Sequence, residues 1–235
     1  MLLYGCKKYV RIIYKYNIEK NETRYDFAHN RRRIGMDTNL VHLSGCLLKE
    51  PVFSHEMFGN QFYQVDLVTE RHSGTTDTIP LLFARNKMVP GTDCKGRMVS
   101  VTGEFRSRNY WMDGRTHLML YVLVKELDFL DGFDEVFTNT IHLDGTLCKE
   151  PVFRTTPLLR EITDLLIATN NSNGKESYLP CICWGQVART VARFCVGKRL
   201  STEGRIQSRL YRKRLSDGTA EERIAYEVSI AHIAY

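Results

Sequence analysis

At 235 residues the chain has room for two small domains or one large one. A hydrophobic fraction of 43% belongs to a folded chain and excludes a disordered one, while no apolar run is long enough to span a bilayer. The net charge of +6 is unevenly placed: +6 in residues 1–35, −4 in 37–135 and +4 in 136–235, so any polyanion would meet an acidic first half and a basic second half.

The first 36 residues are basic, open on MLLYGCKKYVRIIYKY and include Arg31-Arg32-Arg33. They lack the apolar core and cleavage site of a secretory signal. They are expected to be a disordered basic arm, or a mis-assigned start with Met36 as the true first residue. Asn39–Phe53 then reads NLVHLSGCLLKEPVF, and Asn139–Phe153 reads NTIHLDGTLCKEPVF, with ten of fifteen positions identical at an offset of 100. CKGRMVSVTGEFRSRNY (94–110) returns as CVGKRLSTEGRIQSRLY (195–211) at an offset of 101, matching Gly103 with Gly204 and Tyr110 with Tyr211. A period near one hundred residues is too long for a solenoid unit and marks a duplicated domain. The expected organisation is a leader over 1–36, a first domain over 37–133 and a second over 134–235.

Between its two matched segments the first unit carries ARNKMVPGTD, where Pro90 and Gly91 allow only a short turn. In the second unit, Thr140–Leu147 alternates as a strand until Pro151 stops it. Glu161–Thr169 and Tyr178–Trp184 are apolar strands separated by the turn-rich NNSNGKES. Gln186–Cys195 has helical spacing at Val187, Ala188, Val191, Ala192 and Cys195. Arg199–Arg209 and Arg223–Ile233 are the last strands, joined by LSDGTAEE. Five strands with a short helix between the third and fourth is the order of an OB-fold barrel, so an all-β fold of two tandem five-stranded barrels is expected.

The seven cysteines have no CxxC spacing, so a zinc site is not expected; Cys181 and Cys183 share one strand face and read as reduced core thiols. No phosphate loop, GxSxG elbow, HExxH pair or carboxylate cluster is present, and neither an enzyme nor a cofactor is expected. His42 and His142 match between repeats and read as repeated surface or interface residues.

Single-stranded nucleic acid is held by aromatic faces that stack on bases and by cations that track phosphates. Tyr178 and Trp184 stand six apart on one strand, an even separation that points both the same way. Arg205, Gln207, Arg209, Tyr211 and Lys213 share one parity, and Arg212, Lys213 and Arg214 lead into a loop. A solvated polar face with Trp184 in the core is the alternative; the basic strip exceeds what solubility requires. The first unit has Thr78 and Ala84 where the second has Tyr178 and Trp184. It keeps Arg106, Arg108 and Tyr110 and adds Trp111, so a secondary or merely structural role is expected.

The ordered set NTIHLDGTLCKEP, LLIATNN, YLPCICWG, QVARTVARF and GKRLSTEGRIQSRLY resembles the bacterial single-stranded DNA-binding protein family, well over Asn139–Ile233 and more loosely over Asn39–Phe129. The resemblance implies non-sequence-specific binding of single-stranded DNA in replication, recombination or repair, with Tyr178, Trp184 and Tyr211 at base-stacking positions. It also implies a cytoplasmic protein. Two barrels per chain are expected to reach the family's four-barrel assembly as a homodimer, built partly through the matched first strands. The acidic C-terminal tail that recruits family partners is not expected here, because AYEVSIAHIAY closes the sequence as a strand. An OB-scaffold module for primosome-type partners and the binding of single-stranded RNA are the competing readings.

Overall fold

The computed structural model describes residues 39–87, 93–112, 114–130, 137–214 and 218–235. The basic leader, the boundary between the two units and the rest of the ARNKMVPGTD stretch lie outside the described residues. Among the described residues the first unit contains strands β1 (Asn39–Leu47), β2 (Val52–Met57), β3 (Asn60–Glu70), β4 (Thr76–Ala84), β5 (Met98–Met112) and β6 (Arg115–Phe129). The second contains β7 (Asn139–Leu147), β8 (Val152–Thr155), β9 (Glu161–Asn170), β10 (Glu176–Trp184), helix α1 (Gly185–Val191), β11 (Arg199–Arg214) and β12 (Ala220–Ala234).

Five strands of each unit close into a barrel. β1 pairs with β5 and, at Cys46–Leu47, with β3; β3 pairs with β4, which meets β6 in parallel, and β6 returns to β5. β7, β9, β10, β12 and β11 repeat the circuit. Alternation sets the inward faces: Val41, Leu43, Leu67, Leu81, Val101 and Val122 in one barrel, Ile141, Leu143, Ile167, Leu179, Cys181 and Val228 in the other. Cys183 also lies in the core, and burial pushes its thiol up to about 12. Asn39 and Asn139 perform one job twice. Asn39 Nδ2 donates to Phe105 O at 2.6 Å while Phe105 N donates to Asn39 Oδ1 at 3.0 Å. Asn139 does the same with Ile206, at 2.7 and 2.9 Å. Each side chain thereby imitates a peptide group.

Two features depart from the expected elements. Val52–Phe53 and Val152–Phe153, the apolar ends of the matched segments, are exposed on β2 and β8, short outer strands that make hairpins with β3 and β9. The proline ends the first strand without ending strand structure. Helix α1 stops at Val191, short of Cys195, and gives way to turns leading to Gly197, whose φ of +90° suits glycine. Its Ala188 and Val191 are buried against the barrel. The first barrel has only a 3₁₀ turn here, Arg85–Lys87, with no buried residue. It carries the larger buried rings of Phe83 and Phe105 where the second has Cys183 and Ile206.

The two barrels are joined through their first strands. β1 and β7 pair antiparallel with Val41 opposite Ile141, equivalent residues of the repeat, so a pseudo-twofold axis runs between them. The strand order is continuous through this junction.

Candidate nucleic-acid interface

On β10 the core side is taken by Leu179, Cys181 and Cys183, which leaves Tyr178 and Trp184 on the solvent side, 46% and 36% exposed. Trp184 is therefore not a core residue. Its indole Nε1 donates to Ser229 Oγ on the parallel neighbour β12 at 3.2 Å, and the Tyr178 hydroxyl donates to Glu176 Oε2 at 2.8 Å. Both rings are oriented by the protein itself.

Beside Trp184 the sequence reading missed a wall. The β8–β9 hairpin tip is a tight turn, with Thr156 N donating to Arg160 O and Leu159 N to Thr156 O, both at 2.8 Å. Leu159 sits at a φ of 57° with its side chain exposed. With Thr155, Arg160, Glu161, Trp184 and Gly185 it lines a shallow cleft of ≈ 560 Å³. A cleft lined by a tryptophan, a leucine and an arginine has the composition that accepts a flat base and an adjoining phosphate. The readable signal was Leu158-Leu159 beside Pro157, an apolar pair in turn-forming text.

The β11–β12 arm carries the expected cations, with acids that the strand parity did not reveal. Arg209, Arg212, Lys213 and Arg214 are exposed and Tyr211 is half-buried, with the Arg209 guanidinium 5.9 Å from the Tyr211 ring centre. Glu227 lies 3.9 Å from Arg209 and Glu222 lies 3.4 Å from Arg212; Glu221 stands opposite Lys213 and pairs with Arg223 at 2.7 Å. The arm is an ion-paired ribbon with an excess of cations.

Two of the arginines expected to contact phosphate are engaged within the protein. Arg205 turns into the seam between the barrels, where it donates to Gln207 Oε1 at 3.1 Å and to Asp77 Oδ2 at 3.4 Å. Arg106 is buried, its guanidinium held by Glu104 at 2.6 and 3.0 Å and by Ser172 Oγ at 3.2 Å. The β11 face of shared parity thus starts half-buried at Arg205, is buried at Gln207 and opens to solvent from Arg209 outward. In the first barrel Arg108, Tyr110 and Trp111 are exposed, Trp111 by 71%. The Tyr110 ring is stacked on His117 at 5.3 Å. Thr78 and Ala84 leave β4 without a solvent-facing ring, since its Phe83 is buried in the core.

Burial alone would raise the Glu104 carboxyl, but hydrogen bonds from Lys125, Arg106 and Ser172 outweigh it and hold the group at about 2. A depressed carboxyl stabilises the fold above its ordinary value of 4.5, and that contribution is lost as pH falls toward 2. The expected result is that Glu104→Gln lowers the Tm at pH 7 and that its gap from wild type narrows steadily below pH 4.5. A gap independent of pH in thermal melts would contradict this.

Two closed barrels with an open aromatic face and a basic arm define a tandem OB-fold protein. Residues 138–234 match the single-strand binding protein family. The wild-type single-stranded DNA binding protein from Thermus aquaticus superposes with a TM-score of 0.67 at 20% identity, over 85% of this chain and 93% of that one. A deletion mutant of the same Thermus aquaticus protein gives a TM-score of 0.65 at 21% identity, over 85% of this chain and 94% of that one. No curated relative matches the chain. The family match covers the second unit of the chain, and the solved structures share its fold. Its first unit repeats that fold. Among the described residues no helix is long and apolar enough to cross a membrane.

Proposed function

We propose that the protein binds single-stranded DNA without sequence preference and serves DNA replication, recombination or repair as a non-enzymatic, cytoplasmic binding protein. The observation that carries this is the solvent-facing pair Tyr178 and Trp184 beside an arm with excess cations, in the unit that matches the family. Tyr178, Trp184, Tyr211 and Arg160 contact the strand together with Arg209, Arg212, Lys213 and Arg214, while Arg108, Tyr110 and Trp111 form a weaker secondary surface. The two units act as domains over 37–133 and 134–235, and two chains assemble into a four-barrel homodimer, which light scattering on the intact chain checks. RNA is the second reading, since stacking on bases needs no particular sugar. The decisive measurement is fluorescence titration with oligo-dT, oligo-U and duplex DNA in a Trp111→Phe background, which leaves Trp184 as the reporter. Quenching by oligo-dT alone is expected; equal quenching by oligo-U selects the RNA reading, and none with either rejects both.

Salt adds a second expectation. Log K should fall linearly with log salt by about 0.7 for each phosphate contacted, and Arg209→Ala or Lys213→Ala should each make that slope shallower. Arg106→Ala should leave the slope unchanged, because that guanidinium is occupied by Glu104. A wild-type slope near zero would remove the electrostatic half of the proposal.

A further inference from the structure

The seams on either side of the β1–β7 axis have matching backbone contacts and different charges. At one seam β4 of the first barrel faces β11 of the second, with Thr78 N donating to Ser208 Oγ at 3.0 Å. At the other β10 faces β5, with Tyr178 N donating to Ser107 Oγ at 2.8 Å, the equivalent bond. Asp77 is fully buried in the first seam. It accepts from Ser208 N at 2.7 Å and from Arg205 at 3.4 Å across the seam, and from Arg71 of its own barrel at 2.5 and 2.6 Å. In the second seam Ser177 occupies the place of Asp77, and Glu104 and Arg106 occupy those of Arg205 and Gln207. Here Glu104 is neutralised within its own barrel by Arg106 and Lys125, at 2.6 and 2.5 Å. Across the seam its hydrogen-bond partner among the described residues is Ser172, whose N–H donates at 3.4 Å and whose hydroxyl accepts from Arg106 at 3.2 Å.

We propose that this face is an interface for unlike barrels, which accepts the other unit and rejects a second copy of its own kind, so that the first-strand junction closes within one chain. The argument follows from exchanging the units. Pairing two first units would make both seams alike and set the Glu104 carboxylate where Arg205 now approaches buried Asp77, an acid against an acid twice over. Pairing two second units would set Arg205 against Ser177 twice, with Asn171 where Arg71 stands, leaving both guanidiniums without their acid. Only the mixed junction gives Asp77 its cross-seam cation and Glu104 an uncharged partner. Removing one member of a buried pair costs far more than the pair contributes, so this arrangement acts on partner choice more than on affinity. Further copies of the chain must then join through another surface.

The test uses the intact chain with a protease site inserted between residues 131 and 136, cleaved after folding. The halves are unfolded together in urea, refolded and counted as pairs by native mass spectrometry. The expected result is that mixed pairs exceed the share of about one half that indifferent pairing gives. Like pairs at that share or above overturn the proposal. Should the cleaved halves fail to refold, the uncleaved chain decides. Arg205→Glu, which brings an acid against Asp77, should lower the Tm by about 5–10 °C. The double variant Asp77→Ser/Arg205→Glu removes the facing acid, with serine and glutamate placed as at 177 and 104, and should recover at least half of that loss. A double variant no more stable than Arg205→Glu overturns the proposal.

Discussion

Replacing Trp184 with alanine is expected to weaken oligo-dT binding by about 1–3 kcal/mol, roughly five- to 150-fold, the range for loss of one stacked base. The ring is partly open to solvent, yet its N–H is anchored to Ser229 and it lines the cleft with Leu159 and Arg160. It is thus held before a ligand arrives, and little rotamer freedom remains to be lost on binding. Trp184→Phe keeps a stacking face while giving up the anchor, and should recover most of the affinity. Arg160→Ala should cost less than Trp184→Ala, because it removes a contact at the cleft rim and leaves the ring. Tyr110→Ala should cost least, since that ring already lies against His117 and its barrel has no solvent-facing ring on β4. Filter-binding or anisotropy titrations read these changes, with thermal melts to show that each variant is folded. Wild-type affinity in Trp184→Ala would contradict the assignment of the site.

Gly204→Ala is expected to be the most damaging conservative change to the fold, costing about 3 kcal/mol or more. β11 leaves β7 and coils around β12 at an irregularity between Glu203 and Gly204. A Cβ on Gly204 would lie 2.2 Å from Ser229 O, 2.9 Å from Ser229 C and 3.0 Å from Ile230 Cα, backbone atoms that no rotamer change can move. Gly103 has the same problem with Leu123 O at 2.4 Å, and Gly45 and Gly145 meet Val68 O and Ala168 O at 2.3 Å. The strands approach too closely for any side chain at these four corners. Gly197→Ala makes a useful contrast. Its position has a φ of +90° and open space, so only the left-handed backbone strain of about 1–2 kcal/mol applies. Urea titration separates the two; a Gly204→Ala variant as stable as Gly197→Ala would contradict the account.

Much of this architecture is local in origin and so was legible in the residues. The duplicated NLVHLSG and NTIHLDG, the matched Gly103 and Gly204, the period-two strands and the helical spacing around Ala188 each depend on neighbours a few positions apart. A one-dimensional pattern records such periodicities directly. That Tyr178 and Trp184 share one face was readable for the same reason, because side chains an even number of positions apart lie on the same side of a strand; that the face is open to solvent was not.

The sequence could not show which charges are available to a ligand. Asp77 and Ser208 meet across 131 positions, and Arg106 meets Ser172 across 66, so no local rule distinguishes Arg205 and Arg106 from the exposed Arg209 and Arg108. Parity assigns a side chain to one face of a strand but does not say whether solvent or another barrel covers that face. The acids opposite the basic arm, the exposure of the PVF segments and the hairpin wall beside Trp184 depend likewise on strand register and on the pairing of β1 with β7. Those are properties of the closed barrels, because a buried charge finds its partner only when distant strands are packed together.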